Sequence, residues 1–258
     1  LGSPSDTAKG DGTLNGTTDF VNVEELWGGD GPDHFLVTQI VPPPFPNPYP
    51  GLVGYLDGSL VGRGGDDIFE FAHNGAIGDS VNGGTGYNTL KFTNRAVNTD
   101  MELIGFGADA GFNGRTLGPV GSGPIGGDQT TDQFRDISQV IGADVNYVVN
   151  GNRIYDTLDM LPEVASTWTI NDELSQYEAN GVTMDFWQVD ELSASNLDDT
   201  FNAIRNSMDP IVLNGLDGDD TFNFSSDGAT LEGHTDDLQG LVVANGGTGT
   251  NTLNVSNK

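Results

Sequence analysis

The sequence predicts an all-β chain wound as a right-handed parallel β-solenoid, with coils of about 21 residues and loops extruded from them. Three observations carry that expectation. Runs such as Asp220-Thr-Phe-Asn-Phe224 alternate apolar with polar residues and are punctuated by Gly, Asp and Asn. Three sequence blocks return in the same order later in the chain, and the apolar residue that closes each turn recurs at a fixed interval. An antiparallel β-sandwich repeat is the alternative arrangement of the same strands.

The alternating runs come first. They are short, and helical periodicity is weak, with single helical turns expected at 200–208 and 136–141 alone. The 22 aromatic residues, 13 Phe, 6 Tyr and 3 Trp, fall within apolar alternation, which a solvated acidic tail would lack.

The internal duplication sets the domain boundaries. Asp19-Phe-Val-Asn-Val-Glu-Glu-Leu26 returns as Asp185-Phe-Trp-Gln-Val-Asp-Glu-Leu192. The block 62–71 returns at 215–224, and 82–90 returns at 245–253. One unit therefore spans 10–165 and a second, shortened unit 166–258. Residues 1–9 read as a tag scar and linker, because Leu1-Gly2-Ser3 resembles what protease cleavage of a fusion leaves behind.

Taking the apolar residue after each turn as a marker, Phe69 to Leu90 is 21 residues and Phe201 to Phe222 is again 21. Phe35 to Phe69 is 34 because it contains a proline-rich loop at 41–51, where proline removes the donors a strand ladder needs. Phe222 to Leu253 is 31, so a loop is expected within 225–239. The Gly-rich stretch 105–131 is expected to be a surface excursion.

Composition narrows the function. Acidic residues outnumber basic ones 38 to 9, for a net charge of −29, which repels nucleic acid and anionic membrane surfaces. No cysteine is present, so disulfides, thiolate metal sites and Cys nucleophiles are excluded. The abundant carboxylate and carbonyl oxygens suit calcium better than zinc. No apolar run is long enough to insert in a membrane as a helix.

The turns carry the chemistry. Gly28-Gly-Asp-Gly-Pro-Asp-His-Phe-Leu36 fits Gly-Gly-x-Gly-x-Asp-x-apolar-x at every defined position. The turns from Gly62 and Gly215 keep the first and fourth glycines and the acid (Asp67, Asp220), with Arg63 and Leu216 at the second position. The turns from Gly83 and Gly246 keep every glycine and carry Asn88 and Asn251 in place of the acid. Glycines allow positive φ and leave carbonyls open, while the acid points back into the turn and the apolar residue anchors it to the core.

This nonapeptide resembles the calcium-binding repeats of the repeats-in-toxin (haemolysin-type) proteins. The wider pattern, Val-Glu-Glu-Leu before a turn and Asp-Thr-Phe or Asn-Thr-Leu after it, is similar to repeats of giant bacterial surface proteins and adhesins. The resemblance implies an extracellular, secreted or cell-surface location and bound Ca2+. Its ligands are expected among Gly28, Asp30, Asp33, Gly62, Gly65, Asp67, Asn88, Asp199, Gly215, Asp217, Asp220 and Asn251. Here each nonapeptide stands alone instead of in tandem, so calcium sites are expected to be few and weak.

Enzymatic readings find less support. His34, His73 and His234 are scattered, and no Ser lies in a nucleophile elbow. The pairs Asp66/Asp67 and Asp219/Asp220 could serve a β-helical polysaccharide-degrading enzyme. The same acids recur in both units, however, which favours ion binding over an active site made once. A carbohydrate-binding module would use Trp27, Trp168 and Trp187, or Phe45 and Tyr49 of the proline loop, as stacking platforms. The sequence therefore reads as a non-enzymatic, calcium-stabilised structural or adhesive segment. Its expected partners beyond calcium are cell-surface glycans or other copies of the parent protein.

Overall fold

In the computed structural model the described residues are 12–14, 18–20, 25–38, 55–56, 58–72, 75–95, 99–109, 111–117, 125, 133–142, 148–149, 152–153, 157–159, 163–171, 174–204, 210–256 and 258. The proline loop 41–51, with Phe45 and Tyr49, the 1–9 segment and His73 lie outside them.

The chain is all-β, built on two ten-stranded mixed sheets. Over much of its length it alternates between them: a strand in the first sheet, a turn, then a strand in the second. Each such pass lies beside the next in parallel register. Ser59–Val61 leads through a turn to Ile68–Ala72, and the following pass sets Val81–Asn82 beside the former and Thr89–Thr93 beside the latter. At the far end Glu191–Ser193, Ile211–Asn214 and Val242–Asn245 pair in the first sheet, while Thr200–Ala203, Thr221–Phe224 and Thr252–Val255 pair in the second.

The marker residues are in-register neighbours across these pairings. Phe35 faces Phe69 and Phe69 faces Leu90; Phe201 faces Phe222 and Phe222 faces Leu253. Strand register is thus kept across the intervals of 34 and 31 as it is across those of 21. Inward residues follow the two-residue period of a strand, so Phe69, Phe71, Leu90, Phe92, Phe201 and Leu213 are buried while Glu70 and Lys91 on the alternate face are not. Like residues stack like: the Phe35 and Phe69 rings are 5.1 Å apart and 1° from parallel, and Phe201 and Phe222 are 4.9 Å apart at 1°.

In the middle of each sheet one antiparallel strand interrupts the parallel order. Phe112–Leu117 lies between Asp100–Phe106 and Phe134–Ile137, and Ser175–Ala179 lies between Ser166–Ile170 and Val182–Trp187. Their side chains join the two sheets, with Tyr177 of the second packed on Phe112 of the first at 5.3 Å and on Trp168 at 4.9 Å.

Several expectations are corrected. No α-helix occurs among the described residues, and none of their elements is a helix long and apolar enough to cross a membrane. Of the two single-turn helix candidates, 136–141 falls in the strands Phe134–Ile137 and Gln139–Ile141, and the described part of 200–208 opens with the strand Thr200–Ala203, where Phe201 pairs onto Phe222. Both runs are too short for a 3.6-residue period to prevail over sheet pairing. The stretch 105–131 is not wholly a surface excursion, since Phe112–Leu117 occupies a sheet centre and Gly114 is held there against the Phe134 ring. Residues 225–241 do loop out, with a short 3-10 turn at Gly228–Thr230.

Candidate functional site

The turns 28–33, 62–67 and 83–88 stack on one another, as do 194–199, 215–220 and 246–251. The stacking is close. Thr85 N–H donates to the Arg63 carbonyl at 2.9 Å, Gly65 N–H to the Thr85 carbonyl at 3.1 Å, and Thr248 N–H to the Leu216 carbonyl at 2.7 Å.

The sixth position of each turn forms a ladder. The Asp33 N–H donates to Asp67 Oδ1 at 2.9 Å, and the Asp67 N–H to Asn88 Oδ1 at 3.1 Å. In the second stack the N–H groups of Ser166, Asp199 and Asp220 donate to Oδ1 of Asp199, Asp220 and Asn251 at 2.5, 3.0 and 2.9 Å. A turn buries backbone donors that no strand satisfies, so an acid or amide from the next pass must satisfy them.

The other terminal atom of each sixth residue separates the turns into three kinds. In Asp33 and Asp199, Oδ2 accepts from the backbone N–H of the second position, Gly29 at 2.6 Å and Ser195 at 3.0 Å. Asn88 and Asn251 place a donor there instead, and Asn88 Nδ2 donates to the carbonyls of Gly84 and Asp136, each at 3.1 Å. In Asp67 and Asp220, Oδ2 is buried without a hydrogen-bond partner.

The cause is local. Arg63 and Leu216, at the second position of those two turns, have φ of 78° and 69°. That left-handed conformation, uncommon for residues with a Cβ, is shared with Gly84, at 74°, in a turn whose sixth residue donates. The oxygens of Asp67 and Asp220 therefore stand where a sister turn holds an N–H donor.

The first-position glycine closes the site. A Cβ on Gly62 would meet the Asp67 carboxylate, with its Cγ at 2.8 Å, and the Gly83 carbonyl oxygen at 2.6 Å. A Cβ on Gly215 would meet the Asp220 carboxylate, Cγ at 2.7 Å, and the Gly246 carbonyl at 3.1 Å. A carboxylate oxygen and a carbonyl oxygen thus converge on each glycine. Burial pushes the Asp67 and Asp220 carboxyls above the usual aspartate range. Bonds from the Asp33 and Asp199 N–H groups oppose this, while nearby acids (Asp33 and Asp66; Asp199, Asp198 and Asp219) reinforce it.

The remaining predicted ligands fall elsewhere. Asp30 and Asp217 are exposed on the rims of their turns, where Asp217 accepts from the Thr248 hydroxyl at 2.5 Å. Gly28 packs against the Asp33 carboxylate, and Gly65 stacks on the Gly31 backbone with φ of 107°. Among the described residues no three His, Cys, Asp or Glu gather around a common point. Any cation here would rest on one carboxylate oxygen plus carbonyls, a donor set that suits a hard, weakly held ion.

Asp66 and Asp219, the other halves of the proposed catalytic pairs, accept backbone bonds from Tyr87 and Thr250 at 2.8 and 2.7 Å. Trp168 is core and offers no platform, while Trp27 and Trp187 are exposed at the edge of one sheet and within the other. The turn 194–199 was missed by glycine spacing, since Ala194 and Ser195 fill its first positions. Its signal was Asp198-Asp-Thr-Phe-Asn202, repeated at 219–223.

Asp67→Asn is expected to keep the bond to the Asp33 N–H and to add a donor facing the Arg63 side of the turn. In chelator it holds or raises stability by about 1 kcal/mol, whereas Asp67→Ala, which leaves the Asp33 N–H bare, costs about 1–3 kcal/mol. Urea denaturation of both variants checks this. The stability that the raised carboxyls contribute is complete below about pH 3.9 and is lost as pH rises through their folded values, so the Asn variant flattens that part of the profile.

The fold and turns define an all-β chain with in-register repeated turns and two equivalent buried aspartates. The chain matches no protein-family model, no curated protein and no solved structure in comparisons with each.

Proposed function

We propose that the chain is a calcium-stabilised structural or adhesive segment of a large secreted bacterial surface protein, wound as a right-handed parallel β-solenoid. The observation that carries this reading is the recurrence, at equivalent places in two ladders, of a buried carboxylate oxygen without a partner in Asp67 and Asp220. A group with catalytic purpose has no reason to be built twice in register. A scaffold has one, because each stack of turns needs its own tie.

Asp67 with the Gly83 carbonyl, and Asp220 with the Gly246 carbonyl, would hold the ion. Calcium would supply positive charge to a buried carboxylate and offset part of the net charge of −29. An extracellular location, where such ions are abundant, follows from the same reading, and cell-surface glycans are the partners of an adhesive role.

Calorimetric titration tests it. Calcium is expected to bind with Kd of about 10⁻⁴ to 10⁻³ M, the range of extracellular modules, and binding is expected to vanish in the Asp67→Asn, Asp220→Asn double variant. Unchanged binding in that variant, or no binding at all, contradicts the assignment.

A further inference from the structure

Two tryptophans stand on the outer faces of the sheets, each two residues behind an acid: Glu25-Leu-Trp27 in the first sheet and Asp185-Phe-Trp187 in the second. A strand places residues two apart on one face. Each indole therefore has a carboxylate on its own face of the strand, while Leu26 and Phe186 pack inward. At Trp27 the chain supplies a cation as well. Arg63 Cζ lies 5.1 Å from the ring centroid, and the indole N–H donates to Glu25 Oε2 at 2.7 Å. Trp187 is 50% exposed. In its row of the sheet it adjoins Ile141, and Lys91, one strand further on, is turned to Glu70 on the far side, with Nζ 3.5 Å from the carboxylate.

Asp185 is fixed from both sides. The Tyr87 hydroxyl reaches over the intervening strand Gln139–Ile141 to donate to Asp185 Oδ2, and Gln176 Nε2 donates to Oδ1 at 2.9 Å. Burial and the bond to Asp185 push the Tyr87 phenol above its ordinary range, so it stays a donor and adds no charge. A carboxylate accepts at about four lone-pair positions, so Asp185 keeps room for a further pair of bonds. The two aromatic side chains that accompany it, Tyr87 at 41% and Trp187, are both exposed. Glu178, on the strand of Gln176 and exposed on the same face, adds negative charge.

We infer that Trp187, Asp185 and Tyr87 receive an arginine side chain of a partner protein, whose guanidinium stacks on Trp187 as Arg63 stacks on Trp27 and bonds to the Asp185 carboxylate. Charge selects the partner's sign, because a chain of net charge −29 draws basic surfaces and repels acidic ones. Chemistry selects the group. Tryptophan is the best aromatic face for a cation, and a planar guanidinium can stack while presenting paired N–H donors to a carboxylate, which the point charge of a lysine does less well. A neutral sugar could lie on the same ring but would gain nothing from the acid's charge. Tryptophan, tyrosine and arginine are also the side chains that most often anchor protein contacts. The site uses none of the aspartates assigned to calcium and stands apart from that reading.

The test is nuclear magnetic resonance of the full chain in chelator, with the peptide Gly-Gly-Arg-Gly-Gly and its citrulline counterpart, in which a neutral urea replaces the guanidinium. The indole N–H resonance that disappears in Trp187→Ala reports on the site. The arginine peptide is expected to shift it saturably, and the citrulline peptide to leave it in place. Asp185→Asn, which keeps the side-chain shape, is expected to weaken binding about fivefold or more. Binding is also expected to weaken at about 1 M salt, where the screening length falls to about 3 Å. In Trp187→Ala, at an exposed position, the other amide resonances are expected to stay in place, and the shifts that the arginine peptide causes at Asp185 and Gln139 to be lost. The proposal is overturned by a citrulline peptide that acts as the arginine peptide does, or by an Asp185→Asn variant that binds as the parent. A resonance that answers to a neutral glucose oligomer and not to the arginine peptide overturns it too and marks a sugar platform instead.

Discussion

Gly86→Ala is expected to lower the stability of the fold by about 3 kcal/mol or more, from backbone strain and overpacking together. Gly86 has φ of 115°, a region closed to side chains, and a Cβ there would meet the carbonyl of Gly65 in the turn above, with its carbon at 2.7 Å. Neither backbone can give way, because the Gly65 N–H is bonded to the Thr85 carbonyl between the same two turns. Gly181→Ala is the control. Its φ of 76° is also left-handed, but nothing lies within 4 Å of the added Cβ, so only the conformational cost of about 1 kcal/mol applies. Equal losses for the two variants in urea denaturation would show that the turns are not stacked in contact.

Phe201→Ala is expected to cost about 3–5 kcal/mol, the range for truncating a fully buried aromatic residue. Phe201 is sandwiched between Trp168, 5.7 Å away at 12°, and Phe222, 4.9 Å away at 1°. Its loss opens a cavity across three successive strands whose backbone pairing prevents collapse. Leu253→Ala, in the same column but 57% exposed, is expected to change stability by less than about 0.5 kcal/mol. The pair of denaturation midpoints therefore measures what burial within the column contributes.

Strand register was legible in the sequence because it is set by local signals that repeat. An apolar residue two places after the sixth residue of each turn, counted along the chain, found Phe35, Phe69 and Leu90 as neighbours despite the proline-rich insertion between two of them. The antiparallel inserts were not legible. Phe112–Leu117 contains an asparagine, a glycine and an arginine in succession and reads as irregular, yet the partners Asp100–Phe106 and Phe134–Ile137 supply the pairing it lacks in itself.

In the site, spacing identified Asp67 and Asp220 but could not distinguish them from Asp33, whose motif is the more complete. The difference lies in the backbone of the second position, where Arg63 and Leu216 turn left-handed and withdraw the N–H that Gly29 gives to Asp33. No residue type announces that. Asp30 and Asp217 stand among the ligands that the resemblance implies, but the third position of each turn is exposed to solvent.

The most direct measurement of the central claim is the melting temperature in excess chelator and in calcium at about ten times its Kd, for the parent chain and for the Asp67→Asn, Asp220→Asn double variant. Each occupied site is expected to add about 1.4 kcal/mol, or roughly 3–6 °C for a chain of this size. The double variant is expected to melt in chelator at or above the parent and to show no response to calcium. A parent chain with the same melting temperature in both conditions, or a double variant that responds as the parent does, would contradict the assignment of Asp67 and Asp220 as the calcium-dependent ties of this scaffold.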